Sequence, residues 1–590
     1  MKKTSLLKKF ALGITLLLCA TTMSARDIFV SQNAGSQGLG TLESPTRLVQ
    51  ALITNVVNDG DRIIVMDNII LNSTLNIDGK SITIEGMFCF ENPNDESDAA
   101  SIDGASAGRI FNITGDGNVT ISNLVFKNAT NKAIQIDGTD GELIVKIGFC
   151  MFKNNSTADP STDGPDNGAG VTVVGGAMVN IFSCWFIENQ AYRGGAIFVN
   201  GSTVKIEFSD FSRNYARKRN LLSNSGDLDN NSAGGAIAAA EAYDVTIDYC
   251  GFRGNYSHTR GGACFPYGEG TFLVQNSYFI ANYSGSPRKD FIEGNDGAPV
   301  FQPQGDNNGG AFLIYGAGEV ILVNTSIISN VAYGDARGGA IHHESAATLR
   351  LINCTVTNNR SDEGNSYHTG GISALQGAQV FISNSIVERN VAGASNVWSD
   401  VSLFGGARLD AKRSVTGATQ VEVVTNWDRD AETKSYGIDI ENNDGVGDFM
   451  NESGLDLEGG FSYNCWPLEQ GAYATTLGNP EFLFNFGITF DQNNNPRAES
   501  GPIYAGAVEI TAPAEGSYVF WDDILSEKPS EYKGYGCGTI GIYNPFVDAN
   551  ADAVIVGYYT MLGQKLDKEP ASGMFIVKYS NGKSVKVVKK

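Results

Sequence analysis

Two acidic side chains, Glu207 and Asp248, recur at the same outward position of neighbouring alternating polar and apolar stretches, which is the pattern of half-buried strands. A pair of carboxyl groups about 5–9 Å apart can cleave a glycosidic bond, with one group as acid and the other as nucleophile or base. The residues at the same position of nearby stretches are Phe182, Gln275, Val323 and Ile352. These neighbours are not acidic, so the pair does not belong to a larger acidic cluster. An ordinary solvated strand face is the competing interpretation.

Basic side chains concentrate in two long inserts of the repeat, residues 215–233 and 283–308. They are Arg217, Lys218, Arg219, Arg288 and Lys289. On an acidic chain such a patch would suit an anionic glycan as ligand. Solvated loop charge is the alternative.

Carboxylates in two further loops have the oxygen chemistry that Ca²⁺ prefers, and Ca²⁺ is the only cofactor that the sequence suggests. They are Asp159, Asp163 and Asp166 in one loop, and Asp439, Glu441, Asp444 and Asp448 in the other. Neither set has EF-hand spacing, so solvated turns are the better interpretation of both loops. A zinc site is not indicated, because no Cys-x-x-Cys occurs.

The elements that must position these residues form a repeat in which a Gly-Gly-Ala-like step is followed 20 or 21 residues later by Asn. The interval from that Asn to the next Gly varies from 5 to 27 residues. The segment of constant length from Gly to Asn is here called the constant arm. A constant arm plus one corner of variable length is typical of a stacked solenoid, whose insertions collect on one edge. The repeats run from Gly168 to Asn189, Gly194 to Asn214, Gly234 to Asn255, Gly261 to Asn282, Gly309 to Asn330, Gly338 to Asn359 and Gly370 to Asn390.

Three ladders of like residues run through the constant arms. The small ladder is Cys150, Cys184, Ser209, Cys250, Ser277, Thr325, Cys354 and Ser385. The aromatic ladder begins Phe152, Phe186, Phe211, Phe252 and Phe279, and the asparagine ladder runs Asn155, Asn189, Asn214, Asn255, Asn282, Asn330, Asn359 and Asn390. Like stacked on like indicates parallel strands in register, with aromatic rings stacked in the bore and amides bonded along a bend. We therefore predict an all-β parallel β-helix of about a dozen turns, roughly 55–60 Å long, with buried, unpaired cysteines.

The pairing of Gly-Gly-Ala-Ile with Phe-x-x-Asn over residues 150–392 resembles the polymorphic outer membrane protein repeat. The resemblance implies a right-handed parallel β-helix of the pectate-lyase-like class. Residues 491–497 followed by 506–509 look like the end of choice-of-anchor β-helix proteins of Bacteroidetes, with Asn494 in place of the usual Gly. The last 40 or so residues resemble a type IX secretion sorting domain, in a shortened form.

The N-terminus combines four lysines with an apolar run from Phe10 to Ala20, which predicts a secretory signal peptide cut after Ala25. No later stretch is apolar enough to span a membrane. The net charge of −23 argues against binding nucleic acid. We expect export to the extracellular or outer-membrane surface of a Gram-negative bacterium.

The predicted organisation follows the repeat. Residues 1–25 are the signal peptide, 26–60 an N-terminal cap with Leu48, Leu52 and Val56 on one helix face, and 61–400 the β-helix. Residues 401–511 form an irregular β region, 512–547 a linker, and 548–590 a small sorting-like β module. We expect a non-catalytic surface protein that binds a glycan or host-surface ligand through the variable edge. A polysaccharide lyase or glycoside hydrolase and a passive structural protein remain the alternatives, because this fold hosts several functions.

Overall fold

The structure is a computed structural model. It describes residues 25–35, 38–87, 99–157, 167–217, 232–285, 308–316, 318–334, 336–361, 369–393, 397–417, 427–431, 433–436, 473–484, 486–492, 496–498, 500–507, 555–559, 565–566, 568, 573–579 and 584–589. The predicted signal peptide, the basic residues Lys218, Arg219, Arg288 and Lys289, and both predicted Ca²⁺ loops lie outside the described residues.

Each turn of the chain contributes three strands, one to each of three long parallel faces. In one turn these are Ile197–Asn200 on the first face, Thr203–Glu207 on the second and Asp210–Ser212 on the third. Each strand pairs in parallel with the equivalent strand of the turns before and after it. This pattern confirms the predicted all-β fold class, a right-handed parallel β-helix, the hand that parallel crossovers adopt in nearly all known proteins.

The first and second faces join into one 23-stranded sheet, because two long strands, Ile237–Asp248 and Cys264–Gln275, run through both. The other strands of the first face are Leu75–Asp78, Phe111–Thr114, Ile134–Asp137, Val171–Val174, Phe312–Gly316, Ile341–Glu344, Ile372–Leu375 and Val401–Leu403. Those of the second face are Asp27–Val30, Arg62–Val65, Ile82–Gly86, Gly117–Ser122, Leu143–Gly148, Met178–Phe182, Glu319–Val323, Thr348–Ile352, Gln379–Ser383, Arg408–Lys412 and Trp427–Arg429.

The third face has shorter strands, and a fourth set of two-residue strands follows it in the middle turns. The other strands of the third face are Ile69–Ile70, Ser101–Asp103, Val125–Lys127, Met151–Lys153, Trp185–Ile187, Gly251–Arg253, Tyr278–Ile280, Ser326–Ile328, Thr355–Thr357, Ile386–Glu388, Val415–Gly417 and Lys434–Tyr436. The fourth set is Gln190–Ala191, Tyr215–Ala216, Tyr256–Ser257, Tyr283–Ser284, Val331–Ala332, Arg360–Ser361, Val391–Ala392 and Val397–Trp398. Parallel pairing therefore continues past residue 400, through Lys434–Tyr436.

The aromatic and asparagine ladders pack as predicted. Phe126, Phe152, Phe186, Phe211, Phe252 and Phe279 stack with ring centroids 4.4–5.0 Å apart. From Asn155 to Asn390, each side-chain Nδ2 donates to the Oδ1 of the next Asn along the ladder at 2.9–3.0 Å. The last amide donates to Asp400 at 2.8 Å, and a carboxylate, which accepts but does not donate, ends the series.

The two glycines of each Gly-Gly step have different roles. Gly194 adopts a φ of +59°, a left-handed conformation that L side chains rarely take. At Gly195 a Cβ would lie 2.2 Å from the carbonyl oxygen of Gly235 in the next turn. The first glycine is thus required by backbone conformation, and the second by the close approach of adjacent turns.

The N-terminal segment begins with Asp27–Val30, which pairs with Arg62–Val65 and so is already part of the second face. A single α-helix, Gln50–Asn55, follows it and buries Leu52 and Ile53. The predicted helix face is wrong at Val56, which is 45% exposed because the helix ends at Asn55.

A C-terminal strap, defined as the described residues between 473 and 507, packs along the corner between the second and third faces. It contains the 3-10 helix Tyr473–Thr476 and the short α-helix Glu481–Phe484. Leu483 and Ile503 of the strap pack on Val323 and Ile352 of the second face. Farther along the chain, Ile555–Tyr559, Lys565–Leu566, Gly573–Tyr579 and Ser584–Lys589 form an antiparallel four-stranded sheet.

All five cysteines that the structure describes are free and buried, as expected from the sequence. They are Cys150, Cys184, Cys250, Cys264 and Cys354. Burial raises the pKa of the Cys264 thiol. A thiol kept protonated inside the core behaves as a small apolar side chain.

Candidate functional site

The predicted carboxylate pair lies where the alternation placed it. Glu207 and Asp248 are cross-strand neighbours in register on the second face. The Lys205 ammonium lies 2.8 Å from Glu207 Oε1. The two acids are therefore close together in space, and their surroundings differ.

Asp248 is the more enclosed of the two acids. Desolvation by burial raises the pKa of its carboxyl to about 6, and the charge of Glu207 adds to this effect. A hydrogen bond from Asn276 Nδ2 at 2.8 Å favours the ionised form and opposes the increase. A carboxyl group of this kind can hold a proton near neutral pH.

A hydrogen-bond chain connects Asp248 to the strap. Arg497 Nη2 donates to Asn324 Oδ1 at 3.0 Å, and Asn324 Nδ2 donates to Asn276 Oδ1 at 3.1 Å. Asn276 in turn donates to Asp248. The cation of the strap is thereby connected through two amides to the carboxylate, so the strap helps to orient Asp248.

Of the five predicted basic ligand-binding residues, only Arg217 belongs to the described part of the chain. Its Nη2 donates to the carbonyl oxygen of Thr157 at 2.8 Å. This bond fastens the guanidinium to the backbone of another turn. Arg217 therefore has a structural contact, and the anionic-glycan role predicted for the set stays a prediction.

A second cluster, here called the tyrosine face, lies on the outer side of the first face. Tyr267 and Tyr315 occupy paired positions on adjacent turns, with ring centroids 5.5 Å apart and planes within 11°. Their exposed fractions are 37% and 41%. Phe265, which is buried, stacks beside Tyr267 on the same strand, with ring centroids 5.6 Å apart. Two adjacent aromatic rings are thus presented to solvent on a packed base.

Arginines line the tyrosine face. Arg193 lies over the Tyr267 ring, with Cζ 5.8 Å from its centroid. Arg260 follows two turns later in the same column of bridges, and Arg337 directly precedes the Gly-Gly step of a further turn. Arg193 thus lies beside Tyr267, and the charges of Arg260 and Arg337 act on Glu344 in the turn next to Tyr315. These arginines belong to a protein whose net charge is −23.

Glu344 adds one carboxylate to the tyrosine face, and its surroundings keep it ionised. His342 Nε2 lies 3.3 Å from Glu344 Oε2, and Gln376 Nε2 donates to Oε1 at 3.2 Å. The hydrogen bond with His342 lowers the pKa of Glu344, and the charges of Arg260 and Arg337 act in the same direction. The face therefore combines aromatic surface, cationic groups and the Glu344 carboxylate as a hydrogen-bond acceptor.

The repeat positions of these residues indicate this cluster, whereas acid pairs and basic inserts do not. Tyr267 and Tyr315 both lie five residues after the second glycine of their Gly-Gly step, as does Glu344. Arg193, Arg260 and Arg337 all stand directly before such a step. Residues at one repeat position form one column in a solenoid, so these two alignments identify the face.

No metal centre emerges from the described residues, which contain no group of three or more His, Cys, Asp or Glu side chains able to hold an ion. The same part of the chain contains no helix long and apolar enough to cross a membrane.

Comparison with known proteins gives structural similarity alone. No family model and no curated protein matches the chain. Among solved structures, pectate lyase Pel9A is 12% identical over 82% of this chain and 97% of its own, with a TM-score of 0.35. A mannuronic acid specific polysaccharide family 6 lyase from human gut microbiota is 9% identical, covering 66% and 89%, with a TM-score of 0.33. The lacto-N-biosidase from Eubacterium ramulus is 11% identical, covering 70% and 67%, with a TM-score of 0.32.

Proposed function

We propose that this chain is an exported, non-catalytic surface protein that binds an anionic glycan on the tyrosine face. The observation that carries the proposal is the pair of exposed, stacked rings of Tyr267 and Tyr315. Binding sites for small ligands are mainly apolar, with a few charged or polar groups that orient the ligand. The tyrosines supply the apolar surface, and Arg193, Arg260 and Arg337 supply the charges.

The charge distribution supports an anionic ligand. The whole chain is strongly acidic, so an anion is repelled from most of its surface. The arginines of the tyrosine face provide a local attraction, and Arg guanidinium groups bind carboxylates and sulfates through paired hydrogen bonds. Glu344 would accept hydrogen bonds from sugar hydroxyl groups beside them.

The proposal is tested with a glycan array that includes polyuronates, sulfated glycans and neutral glycans. We expect the wild-type protein to bind acidic glycans, and the double variant Tyr267→Ala, Tyr315→Ala to lose at least about tenfold in affinity. Arg260→Gln should weaken binding and reduce its salt dependence. Acidic glycans that bind the double variant as well as the wild type would overturn the assignment.

Two controls separate the tyrosine face from other surfaces. Met178→Ala removes an exposed apolar side chain, 46% exposed, from the second face and should leave binding unchanged. Replacing Arg217, Lys218, Arg219, Arg288 and Lys289 with Ser tests the variable edge. Loss of binding only in this last variant would move the ligand site from the tyrosine face to the inserts.

Glycosidic bond cleavage at Glu207 and Asp248 is the second candidate function. It is favoured by the raised pKa of Asp248, next to a Glu207 that is paired with Lys205. Two carboxyl groups in different environments can divide the roles of acid and base. Release of reducing ends from any array glycan, abolished by Asp248→Asn and by Glu207→Gln, would replace the non-catalytic proposal.

The surface location and domain organisation are part of the proposal. The repeat resembles that of polymorphic outer membrane proteins, and the last residues resemble a sorting domain. We therefore propose that residues 1–25 direct export and that the C-terminal module, residues 548–590, serves attachment or sorting. Cell fractionation with and without residues 548–590 tests this, and unchanged surface display of the shortened chain would contradict it.

A further inference from the structure

A row of aromatic side chains follows the corner between the second and third faces, away from the tyrosine face. The row, here called the aromatic corner, consists of Phe149, Phe182, Phe208 and Tyr249. Neighbouring ring centroids are 5.6, 5.3 and 5.2 Å apart along the row. Phe149 is buried at one end, whereas Phe182, Phe208 and Tyr249 are partly exposed.

The backbone conformation at this corner is unfavourable for aromatic residues. Phe149, Phe208 and Tyr249 have φ values of +55°, +49° and +51°. In the next four turns the same corner carries Asn276, Asn324, Asn353 and Asn384, the residue type that tolerates this conformation best. Three bulky rings are therefore held in a conformation that costs of order 1 kcal/mol each or more. Such strain is often kept for function.

A row of polar side chains runs parallel to the aromatic corner on the second face. Lys146, Asn180, Lys205 and Thr246 pair across successive strands and point outwards. Within the described chain, Asn180 Oδ1 is buried and has no hydrogen-bond donor. An unsatisfied buried acceptor costs about 1–3 kcal/mol unless something donates to it. The aromatic corner thus has a row of hydrogen-bonding side chains beside it.

We propose that the aromatic corner is a second ligand site, which binds an uncharged oligosaccharide lying along the helix axis. Phe182, Phe208 and Tyr249 would contact the faces of successive sugar rings. The hydroxyl groups would bond to Lys205, Thr246 and the carboxyl groups of Glu207 and Asp248. The open part has three rings on successive turns, and two turn spacings of roughly 5 Å separate the outer rings by roughly 10 Å, which is a length suited to a short saccharide segment.

The acidic groups around the aromatic corner favour an uncharged ligand. Glu207 and Asp248 border the aromatic corner. The pKa of the Tyr249 hydroxyl is raised mainly by desolvation, and the charges of Asp248 and of Asp491 in the strap add to this effect. Lys205 is already paired with Glu207. A polyuronate would bring carboxylates next to these acids, and like charges at close range disfavour binding. The aromatic corner therefore differs in ligand class from the tyrosine face and is independent of it.

The test uses the full-length protein and calorimetric titration with cellohexaose, mannohexaose and xylohexaose. We expect at least one of these probes to bind, and Phe208→Asn and Tyr249→Asn each to weaken its binding about tenfold. Asn is the residue that the same corner carries in later turns, so both variants should fold. Chemical denaturation of each variant verifies this.

Two further measurements make the outcome decisive. Tyr267→Ala should leave hexasaccharide binding unchanged, because the tyrosine face is a different site. Polygalacturonate should not compete for the aromatic corner. No binding of any hexasaccharide by wild type, full binding by folded Phe208→Asn and Tyr249→Asn, or competition by polygalacturonate would each overturn the proposal, and none of them affects the tyrosine face.

Discussion

The corner between the second and third faces has an aromatic half and an asparagine half, built on the same left-handed backbone conformation. In the asparagine half, side-chain amides bind the strap: Asn384 Nδ2 donates to the carbonyl oxygen of Asn479 at 2.7 Å, and Asn479 N donates back to Asn384 Oδ1 at 2.8 Å. Asn353 likewise donates to the carbonyl oxygen of Tyr504 at 3.0 Å. The aromatic half carries Phe149, Phe208 and Tyr249 at these positions, with Ser183 in the turn between Phe149 and Phe208.

The difference shows how one solenoid edge can serve two purposes. The amide side chains at the corner form hydrogen bonds with the backbone of the strap and hold the strap in place. Leu273, Ile321 and Val323 beside them are apolar and are covered by the strap. Beside the aromatic half, the corresponding strand positions are mainly polar. The side chains, and not the backbone, therefore decide whether the corner holds the strap or is left for a ligand.

Loss of the strap's arginine should have the largest effect. Arg497 is buried and donates to Asn324, Gly506 and Ala507 at 3.0–3.1 Å. Arg497→Ala leaves these acceptors unsatisfied, and we expect about 3 kcal/mol less stability in strap docking. Limited proteolysis should then cut residues 473–507 first. Arg408→Ala, an exposed position, is the control, and equal protection of both variants would contradict the prediction.

Removal of an amide from the asparagine half should have the next largest effect. Asn384→Ala deletes the paired bonds with Asn479 and a bond to Asn353 at 3.0 Å. We expect about 2 kcal/mol of lost stability. Hydrogen exchange should increase in the strap and stay unchanged in residues 197–216, which lie several turns away from Asn384. An equal increase in exchange across the chain would show that the amide stabilises the whole β-helix and not the strap alone.

Asp248 stands at the boundary between the two halves, and its effect depends on pH. Its folded-state pKa, about 6, is above the ordinary value of 3.8, so the folded protein binds the proton more tightly than the unfolded chain. This group therefore destabilises the fold above pH 6, and the penalty is relieved as the pH falls from about 6 towards 3.8. Asp248→Asn should be more stable than wild type at pH 7 by about 1–2 kcal/mol and equal to it near pH 4. Urea denaturation at both pH values checks this, and a difference independent of pH would exclude the titration.

Exchange of an aromatic for an asparagine in the aromatic half should change stability least. Phe208→Asn relieves the strain of a bulky residue at a φ of +49° and gives up the stacking of Phe208 on Tyr249. The two effects oppose each other, and we expect a change of less than about 1 kcal/mol. Denaturation curves measure it. A loss comparable with that of Asn384→Ala would mean that the ring supports the fold, which would weaken the case for a ligand site.

Much of the interior could be predicted from residue order. The Phe and Asn ladders, the outward position of Glu207 and Asp248, and the turn at Gly194 follow from alternation and repeat spacing. The helix face at Val56 was wrong, because a helix boundary depends on local hydrogen bonds that a periodic pattern does not show. The hydrogen-bond chain that connects Asp248 to Arg497 could not be predicted, since these two residues lie far apart in the sequence.

The sequence by itself determined the winding, because identical side chains stacked in register stabilise one another at every turn. It also determined which columns face outwards. Only the tertiary structure decided which outward columns stay open, because this depends on where the strap returns to the helix. That return covers Val323 and Ile352, orients Asp248 through Asn276, and leaves Phe182 and Phe208 partly exposed.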